Sequence, residues 1–306
     1  MFFKEFKGQN LLDFTAHFAT EEDCKSYLAY YKWKDGFICP RCGGIAEHNS
    51  NEPFTKRCQG CFHKESVISG TLFHKIKFSL RKAFYIIFEM TTTTKGSSSP
   101  VLAKKLGINQ KTAWKFSQKV RFAMESSQAY PLEGKVEVDE TYIGGEDKQS
   151  RGRNSGTKTP VVIAIEKTEN QDGIKRAYAQ VIEDTSSKEL KKIFEKHIDR
   201  NADTKTDKWT GYLPLMKEWN IEQEKSKGGV NFELMHRFIM GLKSWIRGIH
   251  HKISSEHLQK YLDEYCYRFN RSIFKNTIFD KMIARMVNHS KVEYIQFKLC
   301  SPKQNG

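Results

Sequence analysis

A multi-domain chain mixing α+β and α/β architecture is what this sequence predicts, and three stretches predict it. The first is a double knuckle, Cys39-Pro-Arg-Cys42 followed by Cys58-Gln-Gly-Cys61. The second runs from Pro100 to Arg121, where two helical patterns flank a Gly107-Ile108-Asn109 turn. The third is a series of three strand patterns beginning at Lys135, Pro160 and Arg176, followed by a helical pattern from Ser186 to Arg200. Strands of that kind followed by a helix define an α/β unit built on a mixed sheet with flanking helices.

The composition narrows the partners. A chain of 306 residues has room for two or three domains. Lys and Arg number 51 against 36 acids, a formal charge of +15, which points to a polyanion such as nucleic acid. A basic membrane-surface protein would share that charge, but no run of about 18 apolar residues is present to span a bilayer. Met1-Phe2-Phe3-Lys4 is followed at once by Glu5 and Lys7, so a signal-peptide core is not expected and the chain reads as cytosolic. Seven cysteines, four of them in two pairs, fit metal binding in a reducing compartment better than disulfides.

Taken in order, residues 1–32 form a helical lead. Thr20 is a good N-cap with Asp23 three residues on, and Cys24, Tyr27, Leu28 and Tyr31 make one apolar stripe. Residues 33–75 hold the knuckles. Fifteen residues separate Cys42 from Cys58, a spacing that suits a closed tetrahedral site of four thiolates, hence structural Zn2+ held by Cys39, Cys42, Cys58 and Cys61. His48 and His63 lie nearby, but four thiolates already fill the sphere. Such a ribbon either contacts DNA or protein, or only clamps a small fold.

Residues 76–128 form the helix-turn-helix region. Ser79 caps a helix carrying Leu80, Phe84, Ile87 and Phe88; Pro100 starts the next; and the helix from Gln110 presents Lys111, Lys115 and Lys119 for phosphates. A plain helical hairpin would look the same, and the basic charge favours DNA. Residues 129–289 form the α/β domain, with a basic tip over Lys148–Lys158, and residues 290–306 a polar tail in which Cys300, like Cys266 before it, carries no functional signal.

The chemistry centres on KVEVDETYIGG, Lys135 to Gly145. Asp139 sits inside a strand pattern, a position that disfavours Asp unless the carboxylate has work or faces water at an edge. A short strand ending at Asp207 would lie beside it and bring the two carboxylates together. Hard oxygen ligands of this kind suit Mg2+ or Mn2+ in phosphoryl transfer. A further ligand is expected from the helix spanning about 231–249. There His236, Lys243 and Arg247 share one face, with Lys243 and Arg247 each about 20° from His236 at ~100° per residue. In the last long helix, Ser254 or Ser255 to Asn270, Asp263 and Glu264 are expected in solvent, and Arg268 and Arg271 at the surface or on DNA.

These pieces resemble a known family. CPRCGG, VEVDETYIGG, DKWTGY and LKSWIRGIHHKISSEHLQKYLDEYCYRFNR are similar to bacterial insertion-sequence transposases of the DDE class with an N-terminal zinc ribbon, over roughly residues 10–275. The resemblance implies a ribonuclease-H-like catalytic core and a metal-dependent DNA transposase. Such an enzyme cleaves at element ends and transfers the 3′-OH strand into target DNA. Its partners would be double-stranded DNA, both terminal inverted repeats and target, and further copies in a dimer or larger assembly in the bacterial nucleoid. By position, Asp139 and Asp207 match the two aspartates, His236 the third ligand and Lys243 the basic residue at the DNA. Most such enzymes have Glu where His236 stands, so this chain resembles the subgroup using Asp, Asp, His and Lys. A neutral imidazole leaves the cage at a charge of about −2 rather than about −3, which weakens metal binding. Glu233 and Glu140 are the alternative third ligands, although Glu140 should face the other side of its strand. A DNA-binding regulator with an inactive core, or a nuclease or resolvase on the same fold, are the competing functions.

Overall fold

The computed structural model describes residues 4–93, 95–144, 158–226, 230–250 and 253–289. The chain divides into two compact units, Met1–Ala123 with Phe274–Gly306, and Met124–Ile273. Of the expected basic tip, Lys148–Lys158, residues 148–157 lie outside the described residues, as do the polar tail and Cys300. Among the described residues no helix is long and apolar enough to cross a membrane.

The first unit begins with α1 (Leu11–His17) and α2 (Glu21–Trp33). Thr20 and Asp23 form the reciprocal capping box at the start of α2, satisfying two otherwise unpaired backbone N–H groups. Cys24, Tyr27, Leu28 and Tyr31 are the buried stripe of that helix. A three-stranded antiparallel sheet follows, β1 (Glu47–Asn49), β2 (Thr55–Cys58) and β3 (Lys64–Ser66). Lys32 ties it to α2, donating to Glu65 Oε1 at 2.6 Å and to the Ser66 carbonyl at 2.7 Å.

Three helices come next: α3 (Leu80–Thr92), α4 (Ser99–Leu106) and α5 (Gln110–Met124). Glu21 helps to cap α3, accepting from Ser79 Oγ at 2.5 Å and from the Leu80 N–H at 3.0 Å. Gly107 closes α4 in the left-handed conformation at φ 58°, which makes the corner before α5. Glu89, buried on α3, accepts from Tyr85, Ser97 and Lys105, and so fastens α3 to α4.

This unit is completed by α9 (Ile278–Asn288), which packs on α2 and α3. Phe279 enters an aromatic cluster with Phe6, Phe14, Phe18 and Phe84. Asp280 accepts hydrogen bonds from both Tyr27 and Tyr31. The sequence-based boundary, which placed residues up to 289 with the α/β domain, therefore differs from the observed packing. The cause is a long-range aromatic contact that periodicity within α9 does not reveal.

The second unit holds a five-stranded mixed sheet: β4 (Lys135–Ile143), β5 (Thr159–Lys167), β6 (Ile174–Val181), β7 (Asp203–Thr206) and β8 (Ile221–Gln223), in the order β6-β5-β4-β7-β8. β4, β5 and β6 are antiparallel, whereas β7 and β8 run parallel to β4. Helix α6 (Ser187–His197) and a 3₁₀ segment, Thr210–Lys217, cover the face of Val136, Val138, Val162 and Ala164. Helices α7 (Glu233–Trp245) and α8 (Ser255–Asn270) cover the face of Ile143, Val161, Ile163 and Ile165.

Helix α8 also closes the outer edge of β6. Asn270 accepts from the Ala177 N–H at 2.7 Å and donates to the Ala177 carbonyl at 2.9 Å. Gln259 accepts from the Val181 N–H at 2.8 Å and donates to the Ala179 carbonyl at 3.1 Å. The two amides are three helical turns apart on one face of α8, and they replace the neighbouring strand that β6 lacks.

Several α8 positions depart from expectation. Glu264 is 1% exposed and Asp263 is largely enclosed, rather than both facing water. Arg268 is buried beside Glu264, 3.7 Å away, and Arg271 lies over the Tyr267 ring at 4.0 Å. The apolar stripe of α8 is wider than its spacing suggests because it covers both the sheet face and the edge of β6.

Candidate active site and metal centre

In the first unit the two knuckles bring four sulfurs together. Every pair of Cys39, Cys42, Cys58 and Cys61 sulfurs lies within 4.8 Å. Cys39 to Cys61 and Cys42 to Cys58 are each 3.5 Å, close to the edge of about 3.8 Å of a tetrahedron with 2.3 Å zinc–sulfur bonds. Gly44 lies against the site: a Cβ there would be in ordinary contact with the Cys42 and Cys58 sulfurs, at 3.4 and 3.5 Å. The Cys61 backbone N–H pulls the Cys58 thiol down to about 6. Cys42 is pushed up to about 12, because the lowering by the Gly44 N–H is outweighed by the neighbouring sulfurs. Four sulfurs this close cannot all ionise without a cation between them, and the donor set fits zinc. His63 pairs with Glu65 at 3.1 Å instead of approaching the sulfurs.

The lysines of α5 differ among themselves. Lys111 is exposed and Lys115 half-buried, while Lys119 donates to the His74 carbonyl at 3.0 Å. Burial pushes the Lys119 ammonium down to about 8. The expectation that all three present their charge to phosphates therefore changes at Lys119, whose head group is committed inside the unit.

In the second unit the site is built on parallel neighbours. Val136 pairs with Thr204 and Val138 with Thr206, so the next step of the register sets Asp139 level with Asp207. Alternation puts both on the face covered by α7, together with Ile163, the cross-strand partner of Asp139 on β5. The Asp207 Oδ1 accepts the Trp209 N–H at 3.1 Å, and its carbonyl accepts from Gln223 at 3.1 Å. The Asp139 Oδ1 accepts the Glu140 N–H at 2.8 Å. Glu140 points to the opposite face, where the Tyr212 hydroxyl donates to it. That geometry takes Glu140 off the face that carries Asp139 and Asp207.

Helix α7 supplies the cations. Lys243 is half-buried, and its pKa is lowered by burial and then by Arg247 and Lys158, with Asp139 acting in the opposite direction. Lys158, which the sequence reading did not single out as a ligand of anything, belongs to this cationic group. Its sequence signal is its place at the end of the basic tip; in the structure it lies just before β5, opposite Gly144, where a Cβ would meet the Lys158 Cα at 3.1 Å. A π-helical turn, Ile246–His250, interrupts the expected regular helix, and Arg247 Nε donates to the Lys243 carbonyl at 3.4 Å within it. His236 is exposed two turns before Lys243, and Glu233 pairs with Arg237 at 2.8 Å. Among the described residues the cysteine quartet is the group of three or more metal-ligating side chains drawn within 4.8 Å.

Comparison with known proteins finds similarity in two stretches. Residues 131–270 match the ISXO2-like transposase domain, and residues 19–64 match the transposase zinc-ribbon domain. The zinc-ribbon match therefore precedes the transposase-domain match along the chain. The transposase domain lies within the second unit, on the sheet that carries Asp139 and Asp207. An uncharacterized protein in transposable element ISH50 of Halobacterium salinarum is 26% identical over 149 residues, 46% of this chain and 50% of that protein. The chain thus spans about half the length of that curated relative. Among solved structures, the Mos1 transposase paired-end complex with left transposon end has a TM-score of 0.30 at 12% identity, covering 65% of this chain and 76% of that one. A pre-cleavage Mos1 transpososome has a TM-score of 0.28 at 13% identity, over 65% and 77% of the two chains.

Proposed function

We propose that this chain is an insertion-sequence transposase that cuts double-stranded DNA at the ends of its element and joins the freed 3′-OH to a target. The observation that carries the reading is the parallel register of β4 and β7, which sets Asp139 and Asp207 level on the α7 face of the sheet. The antiparallel trio extended by two parallel strands supports a ribonuclease-H-like core. The transposase domain match and the formal charge of +15 support DNA as the substrate.

In this reading Asp139 and Asp207 hold a divalent ion, Mg2+ or Mn2+, to which carboxylate oxygens are suited. That ion, when bound, supplies the Lewis acidity that activates water and stabilises a leaving oxygen. His236 is the proposed third ligand, with Glu233, one turn earlier on α7, as the alternative. Lys243, Arg247 and Lys158 hold the scissile strand by its phosphates, and their mutual repulsion is relieved when a polyanion arrives. Lys111 and Lys115 hold DNA through α5, and the four-cysteine site holds Zn2+. Two element ends must be brought together, so a homodimer or larger assembly on DNA is part of the proposal.

Strand-cleavage and gel-retardation assays on a duplex carrying an element end test this reading. Asp139→Asn and Asp207→Asn should each lower cleavage by about 100-fold or more while DNA is still bound. Unchanged cleavage in both variants would sink the assignment, and cleavage without joining would identify a nuclease instead. Comparing His236→Ala with Glu233→Ala then decides the third ligand, since loss of cleavage only in the second variant removes His236 from the role.

A further inference from the structure

The segment Asp207-Lys208-Trp209-Thr210-Gly211-Tyr212 is held in place by four hydrogen bonds. The Trp209 N–H returns to the Asp207 carboxylate at 3.1 Å, and the Trp209 indole Nε1 donates to the Thr185 carbonyl at 2.8 Å. Gln223 Nε2 donates to two carbonyls, those of Asp207 at 3.1 Å and Trp209 at 2.8 Å. Gly211 permits this folding, because a Cβ there would come within 2.6 Å of Trp209 Nε1 and 2.7 Å of the Thr185 carbonyl. Tyr212, with no exposed surface, then reaches under the sheet and donates its hydroxyl to Glu140.

Glu140 directly follows Asp139, and its backbone N–H is held by the Asp139 carboxylate at 2.8 Å. One continuous path therefore links the two proposed metal ligands from behind: Asp139, Glu140, Tyr212, Trp209, Asp207. The main-chain ladder between the two strands ends at Val138 and Thr206, one residue short of either carboxylate. The Tyr212–Glu140 bond spans the gap at the level where the ladder has stopped. The phenol of Tyr212 feels Glu140, Asp139 and Asp207 together, and burial first and these charges next push its pKa well above the ordinary tyrosine value.

We infer that Tyr212 and Glu140 are a positioning pair that fixes the spacing of Asp139 and Asp207 from the opposite face of the sheet. This rests on the proposed metal site and deepens it. Side chains that orient metal ligands without touching the metal change affinity by about 10- to 100-fold when removed. A hydrogen bond from a phenol that water cannot reach is a rigid spacer of this kind.

The test is Mn2+ binding to the full chain by calorimetry, with thermal unfolding measured on the same samples. Tyr212→Phe and Glu140→Ala should each raise the Mn2+ Kd about tenfold, and the double variant should be no worse than either single one. Glu140→Gln keeps an acceptor oxygen for the phenol and should stay within about twofold of the parent, which separates the hydrogen bond from the loss of a charge. Lower melting temperatures with an unchanged Kd in Tyr212→Phe and Glu140→Ala would overturn the inference, as would Glu140→Gln behaving like Glu140→Ala. Asp139→Asn is the control: if it binds Mn2+ like the parent, the metal pair itself is wrong and the inference falls with it. If Asp139→Asn loses Mn2+ and Tyr212→Phe does not, only the inference falls.

Discussion

Asn270 lies along the Ala177 backbone as an adjoining strand would, giving and taking one hydrogen bond with the same residue at 2.9 and 2.7 Å. Asn270→Ala would leave the Ala177 N–H and carbonyl without this partner in a half-buried place, at a cost of about 1–3 kcal/mol. Urea unfolding should show that loss, and light scattering should show self-association once the edge of β6 is uncovered. A monodisperse variant of parental stability would contradict this role for α8.

The lysines of α5 should separate in a salt titration of DNA binding. Lys111→Ala and Lys115→Ala should each reduce the slope of log K against log salt by about one, the signature of a lost phosphate contact. Lys119→Met should leave the slope unchanged and lower the melting temperature instead, because its ammonium is committed to the His74 carbonyl. A reduced slope in Lys119→Met would place its charge at the DNA after all.

Removing zinc should unfold the ribbon. Structural zinc in small domains contributes on the order of 10 kcal/mol, and β1–β3 form a sheet of short strands that cannot supply that from burial. Chelation, or Cys58→Ala, should release one equivalent of zinc and lower the melting temperature of the first unit. Metal analysis showing no zinc in the parent protein would contradict the assignment.

Asp263 should give the second unit a pH dependence. Burial pushes its carboxyl up to about 6, and Gln259 Nε2 donates to its Oδ1 at 2.9 Å while Oδ2 has no hydrogen-bond partner among the described residues. Because the folded pKa exceeds the unfolded one, the protonated form favours folding. That advantage is complete below the unfolded value near 4 and is lost as pH rises through about 6. Asp263→Asn should therefore raise stability by about 2 kcal/mol at pH 7 to 8 and by little near pH 4. Denaturant titrations at both pH values check the sign.

Much of this was legible in the residues, and the exceptions share a cause. The knuckle spacing, the Thr20–Asp23 cap, the Gly107 corner and the strand carrying Asp139 are local patterns, and each element formed where its pattern lies. The mixed sheet followed from strand order and the shortness of the connections. Lys119 and Asp263 differ because their surroundings come from distant segments, His74 in one case and the β6 edge with α8 in the other. The π turn after Trp245 has no composition signal, since Ile246-Arg247-Gly248-Ile249 continues the apolar period acceptably. Tyr212 stood in a motif noted for its aspartate, yet its hydroxyl partner is 72 residues earlier and on the reverse of a strand.

The return of the chain to its first unit through α9 sets an order of events during synthesis. Until α9 has been made, the residues around Phe14 and Phe18 lack Phe279, and Tyr27 and Tyr31 lack Asp280. The intervening 124–273 segment is whole before that last helix appears. The core of the zinc-bearing unit therefore cannot be complete until the chain has been made through α9.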